Sequence, residues 1–127
     1  MQTSQEISSH ESVAQELLCL ARQVLSDHAT SKTSQAIVLR SKSSKVYSYF
    51  AIWEELPAVE EQICSQLTKE SDPAIIHMAV MWENGQIDLP SHRLRSRLIA
   101  LDTRNRDTLI LLRGEGGCTF RTLSTTL

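Results

Sequence analysis

A chain of 127 residues that is 41% hydrophobic and 22% charged, with four Gly and three Pro, has the size and make-up of one globular domain, and excludes a disordered, fibrous or disulfide-built protein. A net charge of −2 removes any global pull towards nucleic acid or an anionic membrane. Cys19, Cys64 and Cys118 stand far apart with no CxxC pair, which argues against a zinc knuckle, a thioredoxin motif or a disulfide framework and points to a reducing compartment.

Residues 1–9 are polar and read as a frayed end, followed by a single α+β domain over residues 10–127. The first ten residues lack the basic and apolar regions of a secretory signal. The longest nearly apolar run, AIIHMAVMW, falls far short of the ~20 residues a membrane helix needs, so a soluble, cytoplasmic protein is expected. Ser8 followed by Glu11 has the form of a capping box and predicts a helix from Glu11 to about His28. At about 100° per residue its Val13, Leu17, Leu20, Ala21, Val24 and Leu25 make one apolar stripe, and Cys19 falls outside it.

QAIVLR and VYSYFAIW, separated by SKSSK, predict a hairpin. Pro57 suits a first helical turn, and Val59, Ile63 and Leu67 behind it predict a second helix to about Glu70. Glu54, Glu55, Glu60, Glu61 and Glu70 then read as the solvated face of that helix and its approach. Pro73 opens the strand AIIHMAVMWE, Asn84-Gly85 marks a two-residue type I′ turn, and QIDL returns. Ser91 is a fair N-cap for a third helix with the seam Leu94, Leu98 and Leu101. TLILLR and CTFRTL, joined by GEGG, close the chain as a last hairpin. The order is helix, strand, strand, three times over: a single α+β domain with a mostly antiparallel sheet of five or six strands and three helices.

His77, Glu83, Asp88 and His92 crowd one short stretch and raise the question of a metal or acid/base site. A two-residue turn pairs Met81 with Asp88, which leaves Asp88 and His77 on one face but on the order of 13 Å apart along the strands. Ligands must reach within roughly 2.0–2.2 Å of one ion, so no metal and no cofactor is expected, and no catalytic residue is assigned. GEGG feeds a strand and not a helix N-terminus, and reads as a turn rather than a phosphate cradle.

Both alternating sets of AIIHMAVMW and of TLILLR are apolar, so these strands need cover on both faces. Three helices cover the second face only in part, and the remainder suits a homodimer or another protein. The first expectation is therefore a non-enzymatic protein-binding or regulatory module, self-associating, with Trp53, Trp82, Arg93 and Arg97 on its partner surface. The alternative is a small-ligand-binding protein or enzyme whose pocket gathers His77, Tyr47, Tyr49, His92 and Arg93. A third, nucleic-acid binding through the arginine-rich segment 93–113, is disfavoured, because the arginines straddle an apolar seam with no aromatic residues between them for base stacking.

Overall fold

A computed structural model describes residues 4–127, with side chains from residue 11 on; the first three residues of the polar N-terminal stretch and the Ser8 side chain lie outside the described residues. The elements are α1 (Ser4–Asp27), β1 (Ser34–Ser41), β2 (Val46–Ile52), α2 (Leu56–Lys69), β3 (Ile75–Trp82), β4 (Ile87–Asp88), α3 (His92–Leu101), β5 (Leu109–Gly114) and β6 (Gly117–Thr122). This is the predicted α+β order. The first helix starts earlier than the Ser8 and Glu11 signal implies, since its backbone is already helical at Ser4.

Strand order across the sheet is β2-β1-β3-β5-β6, with the short β4 beside the end of β3. Every pairing is antiparallel except β3 with β5, where His77 faces Leu109 and Met78 faces Ile110. α2 and α3 cover one face through Ile63, Leu67, Leu94 and Leu98, packed against Ile37, Leu39, Met78, Val80 and Ile110. α1 covers the other through Leu17, Leu18 and Ala21, packed against Ala36, Val38, Ala79, Met81 and Leu111. At about 1.5–3 kcal/mol for each fully buried large aliphatic side chain, these two clusters supply the main drive to fold.

β1 and β3 therefore have cover on both sides, as their two-faced apolar pattern requires. Ile76 is the exception, exposed at 39%. The register passes from Arg40 opposite His77 to Ser41 opposite Ile75, so Ile76 is the extra residue of a bulge and is turned out of the ladder. The other large apolar side chains left exposed among the described residues are Val46, Trp53 and Leu127, on separate elements.

The β3–β4 turn departs from the two-residue type I′ expectation. Gly85 N–H donates to the Trp82 carbonyl (2.8 Å) and Trp82 N–H donates to the Gln86 carbonyl (2.8 Å). Of the two turn residues only Gly85 has positive φ, at 87°. The loop is thus three residues long, a type I turn closed by a glycine bulge, and Asn84 Oδ1 accepts from Gln86 N–H (3.0 Å) to hold it. Pairing shifts by one, placing Met81 opposite Ile87 and Val80 opposite Asp88.

Candidate functional site

One end of the sheet gathers five pieces of chain: the start of β1, the end of β2, the end of β3, and the N-termini of α2 and α3. Each local sequence has a reason to stop there. A 3-10 turn, Trp53–Glu55, carries β2 into α2, with Leu56 buried and Pro57 in the first helical turn. Ser91 caps α3 by accepting from Leu94 N–H (3.0 Å).

Between these ends lies a cleft of about 580 Å³, within the range of small-ligand sites. Trp53 and Trp82, the only tryptophans in the chain, form one wall with ring centroids 5.8 Å apart and planes tilted by 41°. Trp82 is fixed by donating its indole N–H to Asp88 Oδ2 (3.1 Å). Trp53 is 57% exposed. Leu56, Pro57 and Leu89 extend the apolar lining.

The polar lining comes from Gln35, Glu54, Asp88, Ser91 and Arg93. Under Ser91 and Arg93 sits Glu60, 1% exposed. Its Oε2 accepts from the Ser91 hydroxyl, and its Oε1 accepts from Arg93 Nε at 2.7 Å. With a donor on each oxygen the buried carboxylate is satisfied, and it locks the guanidinium and the N-cap of α3 to the first turns of α2.

The structure disperses most of the pocket read from sequence. His77 lies on the α1 face of β3, its ring 5.4 Å from that of Phe120. Tyr47, towards the opposite end of the sheet, and Tyr49, at the middle of β2, face α2: Tyr47 Oη donates to Asp72 (2.9 Å) and Tyr49 Oη donates to Gln66 Oε1. Burial first, then the nearby carboxylates, Asp72 and Glu70 for Tyr47 and Glu70 for Tyr49, hold both hydroxyls protonated, with Tyr49 pushed up to about 12. His92 is exposed at the first residue of α3. Of that set only Arg93 reaches the cleft, where it meets Trp53 and Trp82, read from sequence as partner surface. Arg97 sits on the flank between α2 and α3, beside Cys64.

Half of the arginine-rich segment is used internally, while Arg97, Arg106 and Arg113 are exposed. Arg93 pairs with Glu60, Arg104 pairs with Asp102, and the buried Arg95 donates to the Thr126 carbonyl. Those three are brackets within the fold, and the exposed three stand on separate elements: Arg97 on α3, Arg106 in the turn after it and Arg113 on β5.

Glu60, beneath the cleft, and Gln35, in its lining, escaped sequence reasoning. Glu60 was read as part of a solvated face, and its burial corrects that. The signal was present: Leu56, Glu60, Ile63 and Leu67 share one helical stripe, so a glutamate stands on the buried side. Gln35 reads as a polar strand end, yet it is only 5% exposed.

No protein-family model and no characterised protein sequence matches the chain. Solved structures do resemble it. The cytidine deaminase of Bacillus anthracis superposes with a TM-score of 0.67 at 12% identity, over 90% of this chain and 86% of that one. Cytidine deaminase from Mycobacterium tuberculosis gives 0.63 at 14% identity, over 89% and 92%. That from Mycobacterium leprae gives 0.63 at 13% identity, over 89% and 95%. At such identities the likeness shows the fold alone. The solved structures this chain resembles are cytidine deaminases, which contradicts the expectation of a non-enzymatic protein-binding or regulatory module.

Proposed function

We propose that this chain is a small-ligand-binding protein or enzyme that takes a planar, nucleoside-like ligand into the cleft at the N-termini of α2 and α3. The observation that carries the reading is convergence: two indoles, an amide and an organised arginine meet at one concave site, on a fold shared with solved cytidine deaminases. An aromatic base stacks on Trp53 and Trp82, worth about 1–3 kcal/mol for a base on an aromatic ring. Polar groups at the floor and rim fix its orientation.

Zinc-dependent deaminases hold their ion with a His/Cys/Cys or three-Cys set that includes a Pro-Cys-x-x-Cys turn. The residues here do not fit that group. The turn into α3 reads Pro90-Ser91-His92-Arg93-Leu94, with serine and leucine at the two cysteine positions of such a motif. Among the described residues, no group of three or more His, Cys, Asp or Glu side chains could hold a metal ion. Cys64 lies beside Arg97, further along α2, and Cys19 and Cys118 are exposed elsewhere. The reading therefore assigns ligand capture to the organic groups of the cleft and routes no step through zinc.

No helix among the described residues is long and apolar enough to cross a membrane. All three cysteines are free thiols, which supports a reducing, cytoplasmic setting. Because both tryptophans line the cleft and neither tyrosine does, tryptophan fluorescence excited selectively at the red edge reports on it. Titrating the full chain with cytidine and uridine, with and without a chelator, is expected to give saturable quenching and a matching calorimetric isotherm that chelation leaves unchanged. Absence of both signals at millimolar ligand refutes the reading.

A further inference from the structure

We infer that Gln35 is the specificity-determining residue of the cleft, selecting a ligand edge that carries a hydrogen-bond donor beside an acceptor. The inference rests on the small-ligand reading of this site and names which side chain reads the guest. Gln35 is the second residue of β1, held in the ladder between Ala51 and Trp82, on the face that looks towards α2 and α3. It is 95% removed from solvent and lines the cleft. Its side-chain amide makes no hydrogen bond among the described residues. It is also not sealed off: its amide atoms retain some access to solvent, and the residue lines the cleft.

That combination is unusual on physical grounds. Buried polar groups are almost always paired, and an amide offers two donors and two acceptors. Nearby polar side chains have partners already: Ser91 and Arg93 are engaged by Glu60, and Asp88 accepts from Trp82 and from Leu89 N–H. Among the described polar residues that line the cleft, Gln35 is the one that is buried, oriented by a strand and left with its full hydrogen-bonding capacity. A cis-amide-like edge, such as the N3 and adjacent exocyclic group of a pyrimidine, completes it with two parallel hydrogen bonds while the ring lies against the indoles. A site built to pair a polar edge rejects analogues lacking that edge much more strongly than it rejects changes of apolar size.

The test titrates the wild type and Gln35→Met, which keeps the side chain's length without its polar atoms, with cytidine, uridine and their N3-methyl derivatives. Tryptophan fluorescence and calorimetry give the affinities, and thermal melting of each free protein gives a readout independent of ligand. The wild type is expected to prefer the unmethylated nucleoside by about 10- to 100-fold. Gln35→Met is expected to lose about tenfold or more for that nucleoside and to treat the methylated and unmethylated forms alike within about threefold. The free Gln35→Met protein should melt at the wild-type temperature or above it. Wild-type affinity in Gln35→Met overturns this assignment and leaves the site reading standing, as does a lowered melting temperature in the free variant, which would mark Gln35 as structural. No binding of any of the four nucleosides to the wild type overturns both.

Discussion

Replacing Glu60 by alanine should be the most destabilising single change at the cleft, and the structure sets its size. Glu60 is 1% exposed and accepts from Ser91 and from Arg93, so its loss leaves a hydroxyl without its acceptor, a guanidinium without its counter-ion, and a small void. Removing one partner of a fully buried ion pair costs about 3–5 kcal/mol. The Arg93 side chain is 48% exposed, so water takes up much of the stranded charge and the lower end applies, about 3 kcal/mol. For a chain of this length that corresponds to a fall of about 12 °C in Tm, at roughly 4 °C per kcal/mol. The double variant Glu60→Met/Arg93→Met removes both ions together and should come within about 1 kcal/mol of the wild type. Urea unfolding followed by far-ultraviolet circular dichroism measures both, with an unchanged m-value showing that the midpoint shift is a stability change. The reasoning fails if Glu60→Ala lies within about 0.5 kcal/mol of the wild type, or if the double variant is as unstable as the single one.

Asn105 is completely buried; its Nδ2 donates to the carbonyls of Pro73 and Leu98 (2.8 Å each), and its Oδ1 accepts from Ile75 N–H (2.7 Å). Asn105→Ala leaves three backbone groups wanting and should cost about 3–5 kcal/mol in the same urea assay; a loss under about 1 kcal/mol would refute its bracing role. At the far end of the sheet, burial pushes the Asp72 carboxyl up, but hydrogen bonds from Ser41, Ser43 and Tyr47 outweigh it and hold the group below its ordinary value, while Lys45 does the same for Glu70. Their contribution to stability is present above the ordinary carboxylate range and is lost as pH falls below it. Tyr47 and Tyr49 go the other way, since burial keeps their hydroxyls protonated: stability is complete below about pH 10 and is lost as pH rises beyond it. Melting curves from pH 2 to 12 should fall at both ends, with Asp72→Asn flattening the acid limb and Tyr47→Phe the alkaline one; unchanged limbs in both variants would show the cluster to be inert.

Local chemistry made the element order legible. Ser91 announces α3 because its hydroxyl has one obvious use, and Pro57 announces α2 because its missing N–H is harmless only in a first turn. Asn84-Gly85 located its hairpin but misplaced the register by one, since the dipeptide serves both a two-residue turn and a three-residue turn closed by a single αL glycine. The cleft was far less legible. Its residues come from β1, the β2–α2 turn, β3, the β4–α3 approach and α3, and nothing in the spacing of Gln35, Trp53, Trp82 and Arg93 says that sheet order will bring them together. Glu60 could have been found by asking which glutamate falls on the apolar stripe of its helix. The tyrosines and His77 misled because chemical suitability for a pocket says nothing about which end or face of a sheet a side chain occupies.

The single parallel pairing has its own consequence. β5 and β6 join the rest of the sheet through the short stretch where His77 and Met78 meet Leu109 and Ile110, supported by the Thr108 hydroxyl donating to the Ile75 carbonyl (2.7 Å). β1 and β3, in contrast, share a ladder running from Gln35 opposite Trp82 to Ser41 opposite Ile75. The molecule therefore has a weak seam, and the C-terminal hairpin is the piece whose amides should exchange with solvent first, through sub-global opening. Gln35, Trp53, Trp82 and the Glu60–Arg93 bracket all lie on the firmer side of that seam, so the binding surface can stay shaped while the last strands breathe.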